Sequence, residues 1–241
     1  MVANTRPEHK GEPMDIRIES LLAGAERAEG TVVVIDVFRA FTTAAVALAR
    51  GASSIILAHG PEEALLMRQV GIGDLCMGEA GGRRPPGFDL GNSPYELSQA
   101  DVQGKTLLQS TGAGVAGVIA AGRAQALYAA SLVTAQATVA ALLRDDPPLV
   151  TLVAMGAGGK WRADEDEQCA LYLRNLLRDS QPDRECVRRL ILAGAEAAKF
   201  GDPEQPHFHP LDREIALDID RCDFAVTVGH EDGLLVARRA P

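Results

Sequence analysis

Short, nearly continuous apolar runs alternate with alanine-rich helical patterns along most of this chain, and this alternation constrains the fold more than any other feature. The apolar runs are rich in Val, Ile and Leu, and each is short enough to form one strand. Strands that are apolar at successive positions are typical of a parallel sheet covered on both faces. Six such strands are predicted, at residues 31–37, 53–58, 75–78, 105–109, 126–130 and 149–155.

Helical patterns occupy the segments between and after these strands. Pro61 followed by two glutamates is a helix-start signature. The predicted helices are residues 41–50, 61–70, 115–122, 134–144, 164–178 and 183–199. A hairpin is predicted at the end of the chain, with strands 224–228 and 234–237 on either side of a Glu-Asp-Gly turn. This order predicts an α/β fold, a three-layer α/β/α sandwich with a mixed, mainly parallel sheet.

Composition limits the classes of protein to which the chain can belong. Hydrophobic residues make up 46% and charged residues 24% of the 241 positions, which is typical of a globular protein. We expect a polar N-terminal leader at residues 1–13 and a single α/β domain at residues 14–241. The net charge of −9 argues against a nucleic-acid partner, since phosphate neutralisation needs a basic surface. No apolar run reaches the roughly 18 residues of a membrane helix, so we expect no membrane association.

The cysteines and histidines give little support for a zinc or redox site. No pair of cysteines has the spacing of such a site, and the four residues are far apart: Cys76, Cys169, Cys186 and Cys222. This usage is typical of a reducing compartment, and we expect the protein to be cytoplasmic. His207 and His209 have no further His or Cys at ligand spacing, so a role in a loop or at the start of a helix is favoured.

Polar residues follow the first predicted strand directly. Asp36 comes after four β-branched residues, and a carboxylate in or near a buried strand needs a partner. A metal ion or Arg39 would supply one, although a structural ion pair or a helix cap remains an alternative. Thr42 and Thr43 precede a helix, whose first N–H groups could bind an anion or could simply be capped.

A long loop rich in glycine and proline follows the third predicted strand. It begins at Glu79 and carries two adjacent arginines, a carboxylate and an amide: Arg83, Arg84, Asp89 and Asn92. Long loops in compact domains are frequently functional, and the alternative is a surface lid without chemistry. A helix is expected to begin just after Asn92. Because ligands bind beyond the carboxyl ends of parallel strands, we expect this loop and Asp36 to meet at one edge of the sheet.

The fourth predicted strand leads through Ser110 and Thr111 into a loop that matches G-x-G-x-x-G at Gly112, Gly114 and Gly117. The position of the loop between a strand and a helix agrees with a dinucleotide-binding fingerprint. The acidic residue expected about 20 positions further on is missing, however, which argues against this function. Two interpretations remain: backbone N–H groups that bind an anion, or close packing of the helix on the sheet.

Four acidic residues, at positions 164–167, open the predicted helix that follows the sixth strand. Such residues are favoured at a helix N-terminus by the helix dipole alone. They also follow a glycine loop that contains Lys160, and carboxylates at this edge of the sheet would suit Mg²⁺, which prefers oxygen ligands.

Six segments occur in the same order in one known family. They are Val-Ile-Asp-Val-Phe-Arg-Ala-Phe-Thr-Thr at 34–43, Gly-Glu at 78–79, Gly-Phe-Asp-Leu-Gly-Asn-Ser-Pro at 87–94, the turn at 110–111, Glu-Asp at 165–166 and Asp-Ile-Asp-Arg-Cys-Asp at 218–223. The chain therefore resembles the 2-phosphosulfolactate phosphatase family over roughly residues 30–225. The first two segments are the most specific.

This resemblance implies a Mg²⁺-dependent phosphatase with an α/β fold. The family's substrate is a three-carbon acid that carries sulfonate, carboxylate and phosphate groups, on the route to coenzyme M. The chain departs from the family pattern at three places. Ala80 stands where the family usually has Arg, residues 112–114 replace Asn-Gly-Thr, and Thr134 stands near a strand end that usually leads to Asn.

The resemblance and the residue pattern together predict roles for the site residues. Asp36, Arg39 and Glu79 are predicted to be catalytic, with Arg39 binding the phosphate oxygens in a bidentate manner. The predicted ligands of Mg²⁺, direct or through water, are Asp36, Glu79, Glu165 and Asp166. The predicted substrate-binding residues are Thr42, Thr43, Arg83, Arg84, Asp89, Asn92, Ser110, Thr111, Gly112 and Lys160.

The leading hypothesis is hydrolysis of a small anionic phosphomonoester, most simply 2-phosphosulfolactate, to sulfolactate and phosphate. Either water or Asp36 could be the nucleophile. The alternatives are a noncatalytic anion-binding member of the family and, with less support, an oxidoreductase that uses the glycine loop. A homo-oligomer is possible, since many enzymes are symmetric oligomers, but the sequence does not define the number of subunits.

Overall fold

The computed structural model describes residues 14–240, and the predicted leader at residues 1–13 lies outside them. In this part of the chain, nine strands form one sheet. In chain order they are β1 (Asp15–Ser20), β2 (Gly30–Ile35), β3 (Ser54–Leu57), β4 (Leu75–Gly78), β5 (Thr106–Ser110), β6 (Ala124–Ala130), β7 (Leu149–Ala154), β8 (Ala225–Glu231) and β9 (Leu234–Ala240).

The same residues contain nine α-helices, most of which connect consecutive strands. They are α1 (Leu21–Arg27), α2 (Ala40–Ala49), α3 (Pro61–Gln69), α4 (Pro94–Gln99), α5 (Gly114–Ala120), α6 (Ala135–Asp145), α7 (Asp164–Leu177), α8 (Arg184–Leu192) and α9 (Pro210–Ala216). Two short 3₁₀ helices lie at Leu132–Thr134 and Ala197–Lys199. The N-terminus of α4 is capped by the Ser93 hydroxyl, which accepts a hydrogen bond from the Glu96 N–H.

The strands lie in the order β1-β7-β2-β6-β8-β9-β3-β5-β4 across the sheet. Strands β1, β7, β2 and β6 form one parallel block, and β3, β5 and β4 form another. The C-terminal hairpin lies between the two blocks and pairs in an antiparallel manner with both. The sheet is therefore mixed and mainly parallel, as the sequence predicted, with its antiparallel strands in the middle.

Three successive antiparallel pairings make the two parallel blocks run in opposite directions along the sheet. The loop after β4 and Asp36 nevertheless meet in one cavity, as the sequence predicted. Adjacent strands rotate by about −20 to −25°, so the five steps from β2 to β5 accumulate a twist of roughly 100–125°. Residues that follow β4 and β5 meet residues that follow β2 and β7 in one cavity.

Strand β2 shows why successive residues of the strands are apolar. Val32 and Val34 pack into one core cluster with residues of α2 and α5, while Val33 and Ile35 pack into another with residues of α6, α7 and α8. All four side chains are fully buried. Helices therefore cover both faces of the sheet, which is the predicted three-layer α/β/α arrangement.

The predicted elements agree with the structure except in three places. All six predicted strands are present, with ends that differ by at most two residues. The sequence did not predict β1 with α1, and it gave no bounds for α9. The predicted helix 183–199 is also wrong, because α8 ends at Leu192 and a separate 3₁₀ turn follows. Gly194 interrupts the helix where a Cβ atom would lie 2.5 Å from an Asp164 carboxylate oxygen, and glycine is a weak helix former.

Two further expectations can be compared with the structure. Among residues 14–240, none of the helices combines the length and the apolar composition needed to cross a bilayer. The four cysteines are all free thiols, and three of them are buried. His209 caps the N-terminus of α9 by accepting a hydrogen bond from the Leu211 N–H (3.2 Å), which confirms its predicted place at the start of a helix.

Candidate active site

A cavity of about 380 Å³ lies beyond the carboxyl ends of β2, β4, β5 and β7. Residues that follow these strands form most of its wall, and the segment after α8 completes it. Six of the residues predicted from the sequence line this cavity: Asp36, Arg39, Glu79, Asn92, Gly112 and Glu165. The fold therefore brings together side chains that are far apart in the chain.

Asp36 lies immediately after β2 and is 5% exposed. One carboxylate oxygen accepts a hydrogen bond from the Ala40 N–H at the start of α2 (2.9 Å). Burial raises the pKa of Asp36 to about 6, the charge of Glu79 acts in the same direction, and the N–H groups of Ala40 and Gly114 oppose it. Because burial disfavours the ionised form of Asp36, a cation in the cavity would stabilise that form.

Glu79 connects the ends of β4 and β5. Its Oε1 accepts a hydrogen bond from the Gly112 N–H, and its Oε2 accepts one from the Gly82 N–H, both at 2.7 Å. Gly78 has a φ of +143°, and a Cβ atom there would collide with the Ser110 carbonyl oxygen. Only glycine allows β4 to approach β5 this closely, and this approach places Glu79 beside the glycine loop.

The first turn of α7 contributes two carboxylates with different surroundings. Glu165 lines the cavity, and its burial, together with the charges of Glu196 and Asp36, raises its pKa to about 8. Asp166 does not line the cavity. Its two oxygens accept hydrogen bonds from the N–H groups of Val37 and Gly156, each at 2.7 Å, so Asp166 connects the ends of β2 and β7. Burial also raises the pKa of Asp166 well above its usual value.

Arg39 is buried but lines the cavity. Its Nη1 donates to an Asp212 carboxylate oxygen (2.7 Å) and to the His207 carbonyl oxygen (2.8 Å), and its Nη2 donates to the Gly82 carbonyl oxygen (3.2 Å). Arg39 therefore forms its ion pair with Asp212. The pair between Arg39 and Asp36, one of the alternatives left open by the sequence, is not formed.

The predicted threonine ligands lie behind the wall of the cavity. The Thr42 hydroxyl donates to the Val37 carbonyl oxygen (2.8 Å), and the Thr111 hydroxyl accepts from the Val115 N–H (3.1 Å). Both contacts are those of a helix N-terminus. The Thr43 hydroxyl is buried, and it has no hydrogen-bond partner among residues 14–240.

Three predicted residues of the loop after β4 are on its outer side. Asp89 forms an ion pair with Arg68, and Arg84 contacts Glu96 at 3.3 Å. Arg83 closes a tight turn with Ala80 through paired backbone hydrogen bonds. These side chains are exposed or half-buried and do not line the cavity, so the structure gives them roles in shaping the loop.

The glycine motif packs closely against the sheet. A Cβ atom at Gly114 would lie 2.8 Å from a carboxylate oxygen of Asp36, and one at Gly117 would collide with the sulfur of Met155. Gly112 lines the cavity, but its N–H already donates to Glu79. Packing therefore explains two of the three glycines, and it favours the second interpretation of the motif.

One wall of the cavity comes from a segment to which the sequence assigned no ligand. Glu196 and Lys199 both line the cavity and form an ion pair at 2.5 Å. His207 lines it as well, and burial, with the charges of Arg83 and Arg39, lowers the pKa of its imidazole. Lys160, the predicted cation, is exposed and outside the lining. The sequence signal was present in Pro-His-Phe-His-Pro, but the wrongly extended helix concealed Glu196 and Lys199.

The donor set of the cavity fits Mg²⁺ better than a softer metal. No three His, Cys, Asp or Glu side chains within residues 14–240 form a group that could hold an ion by themselves. Mg²⁺ usually takes one or two carboxylates and keeps several waters. Asp36, Glu79 and Glu165 supply only oxygen atoms around one cavity, and the charge of Asp36 raises the pKa of Glu165.

One known family and several known proteins are similar to this chain. A sequence profile described as 2-phosphosulpholactate phosphatase matches residues 17–200. A protein of Carboxydothermus hydrogenoformans named probable 2-phosphosulfolactate phosphatase is 39% identical over 79% of this chain and 80% of its own length. A protein of Bacillus subtilis with the same name is 32% identical over 83% of this chain and 87% of its own length. The namesake in Thermotoga petrophila is 36% identical over 64% of this chain, and the match spans 65% of that relative. The resemblance seen in the sequence is thus confirmed, and the chain belongs to the 2-phosphosulpholactate phosphatase family.

Proposed function

We propose that this protein hydrolyses the phosphate ester of 2-phosphosulfolactate in a Mg²⁺-dependent reaction, releasing sulfolactate and phosphate. Family membership and the names of the relatives support the substrate. The free thiols support a reducing compartment such as the cytoplasm. The need for a cation is supported by a single observation, which is the charge balance of the cavity.

The cavity has too much negative charge to bind a phosphate ester without help. When all its acidic groups are ionised, its charged lining consists of four carboxylates and two cations, namely Asp36, Glu79, Glu165, Glu196, Arg39 and Lys199. Both cations are already paired with carboxylates, Arg39 with Asp212 and Lys199 with Glu196. A substrate with phosphate, carboxylate and sulfonate groups would be repelled, because charges interact strongly at low dielectric. A divalent cation among the carboxylates removes this repulsion.

Asp36, Glu79 and Glu165 are the residues that would hold Mg²⁺, directly or through water. When bound, Mg²⁺ neutralises the phosphate and polarises the bond that breaks. Arg39 keeps N–H donors beyond those used for Asp212, His207 and Gly82, and these donors bind non-bridging phosphate oxygens. Such chemistry depends mainly on positioning and on charge stabilisation.

The remaining cavity residues suit the rest of the substrate. Lys199 is a cation of the wall formed after α8, and it receives the carboxylate or the sulfonate when this group displaces Glu196. Asn92 is 6% exposed, and its side-chain oxygen has no partner among residues 14–240. A buried acceptor of this kind binds a donor, and the attacking water is one such donor. In hydrolysis, this water adds to phosphorus, the bond to the ester oxygen breaks, and that oxygen takes up a proton.

The test is phosphate release from 2-phosphosulfolactate and from esters that lack the sulfonate, with Mg²⁺ and with EDTA. We expect Mg²⁺-dependent release that is fastest with 2-phosphosulfolactate, and a loss of at least 10³-fold in Asp36→Asn. Asp218→Asn is the matched control, because Asp218 is half-exposed and forms its ion pair with Arg221 at the surface, outside the cavity. Full turnover by Asp36→Asn would overturn the assignment of the site.

The same assay separates the two alternatives. Binding of phosphate or sulfolactate without any phosphate release would identify a noncatalytic anion-binding member of the family. An oxidoreductase would bind NAD(H) or NADP(H) with heat in a titration, and the packing of the glycine motif gives no support for this outcome.

A further inference from the structure

We infer that Asp212 is a positioning residue that holds Arg39 and the start of α4 in the geometry needed to bind phosphate. The inference rests on the proposed function and concerns a residue outside the range matched by the family profile, residues 17–200. Asp212 lies in the first turn of α9, three residues after the N-cap His209, and its side chain is fully buried.

The two oxygens of Asp212 hold two different parts of the site. Oδ2 accepts from Nη1 of Arg39 at 2.7 Å. Oδ1 accepts from the Ser93 hydroxyl (2.5 Å) and from the Tyr95 N–H (3.0 Å) at the start of α4. A single carboxylate therefore connects the β2–α2 junction, the loop after β4 and α9, three segments that are distant in the sequence.

The other contacts of Arg39 leave its guanidinium little freedom. The carbonyl oxygens of His207 and Gly82 accept from Nη1 and Nη2, and the guanidinium carbon lies 4.7 Å from the centre of the Phe208 ring. Three of the five N–H groups are thus used, and two have no acceptor among residues 14–240. Donors fixed in advance bind an anion without a further loss of side-chain freedom.

Asp212 also acts on Asn92, which directly precedes Ser93. Asn92 lines the cavity and has an unpartnered, buried side-chain oxygen. The hydrogen bonds from Ser93 and Tyr95 to Asp212 fix the backbone on the C-terminal side of Asn92. Two ligand-binding groups, one cationic and one amide, are therefore held by the same buried carboxylate.

A purely structural explanation of the ion pair is less satisfactory. Buried ion pairs contribute little net stability, because the cost of removing both charges from water offsets their attraction. Arg39 is part of the cavity wall, and the pair therefore has a consequence for ligand binding that a pair in the core would lack. The ion pair fixes the orientation of the Arg39 guanidinium at the cavity, and this orientation matters for binding an anion.

A double-mutant cycle on the full-length protein tests this inference. The Kd for inorganic phosphate is measured by calorimetry with saturating Mg²⁺, and the Kd for Mg²⁺ alone is measured separately. Asp212→Asn keeps the acceptor for Ser93 and Tyr95 but puts an NH₂ group against Arg39. We expect its phosphate Kd to rise at least tenfold, while the Kd for Mg²⁺ stays within twofold. In an Arg39→Met background, Asp212→Asn is expected to change the phosphate Kd by less than twofold.

Control variants make each outcome decisive. Asp218→Asn is expected to leave both constants within twofold of the wild type. If Asp212→Asn does not fold, Asp212→Glu keeps the charge and moves the carboxylate by one methylene group, and we expect its phosphate Kd to rise at least fivefold. An unchanged phosphate Kd, a parallel loss of Mg²⁺ affinity, or an equal loss in the Arg39→Met background would overturn the inference. Absence of phosphate binding by the wild type would instead contradict the proposed function on which it rests.

Discussion

The buried carboxyl groups of the cavity predict that the metal-free protein loses stability as the pH rises from 5 to 8. Burial is the main reason that the pKa of Asp36 rises from 3.8 to about 6 and that of Glu165 from 4.5 to about 8. Between these values the folded chain holds protons that the unfolded chain has lost. The stabilisation is therefore complete below the unfolded pKa values, near 4, and is lost as the pH rises through 6 and 8.

The size of this effect follows from the pKa values. Raising the pKa of Asp36 from 3.8 to about 6 corresponds to about 3 kcal/mol. This is a large part of the roughly 5–15 kcal/mol by which folded proteins are stable. His207 acts in the opposite direction below its usual pKa of 6.5, because burial lowers the pKa of its imidazole. Bound Mg²⁺ favours the ionised carboxylates, and at about 100 times its Kd it adds about 2.7 kcal/mol.

The assay is urea unfolding at pH 5, 6, 7 and 8, with Mg²⁺ and with EDTA. In EDTA, we expect the free energy of unfolding to fall with increasing pH, and the gain produced by Mg²⁺ to grow with pH. Asp36→Asn should show a shallower fall and a smaller gain, because it cannot ionise at this position. Equal stability of the metal-free protein at pH 5 and 8, or a gain from Mg²⁺ that is independent of pH, would refute the reasoning.

Two further predictions compare matched pairs of substitutions. Gly114→Ala should lower the free energy of unfolding by about 1–3 kcal/mol in urea, because the new methyl group meets Asp36, whereas Gly122→Ala has open space and should change it by less than about 0.5 kcal/mol. Equal effects would contradict the packing seen at Gly114. Lys199→Ala should raise the KM for 2-phosphosulfolactate at least fivefold in steady-state assays with a smaller change in kcat, and Lys160→Ala should leave both within twofold. A larger effect of Lys160→Ala than of Lys199→Ala would contradict the assignment of Lys199 to the carboxylate or sulfonate of the substrate.

The site residues that directly follow a buried strand could be predicted from the sequence. Asp36 and Glu79 end apolar runs, and a charged residue at that place must lie at the end of a buried strand. The hairpin was also predictable, because Asp232 and Gly233 adopt the positive φ angles that a two-residue turn needs. Local patterns of this kind specify elements and their ends without reference to the rest of the chain.

Long-range pairing could not be predicted in the same way. Asp212 and Arg39 are separated by 173 positions, and nothing near Asp212 in the sequence distinguishes it from other acidic residues on a helix surface. The place of the hairpin in the middle of the sheet was equally hidden, because turn chemistry determines a hairpin but not its neighbours. Glu196 and Lys199 reach the cavity only because the chain turns after Gly194, and a continuous helical pattern concealed this turn.

The central claim is that a cation must neutralise the cavity before it can bind phosphate, and calorimetric titration with inorganic phosphate tests it most directly. We expect a phosphate Kd at least tenfold lower with saturating Mg²⁺ than with EDTA. Because coupling between two ligands is reciprocal, saturating phosphate must tighten Mg²⁺ binding by the same factor. The same phosphate Kd with and without Mg²⁺ would contradict the account, since the carboxylates of the cavity would then have no bearing on the binding of an anion.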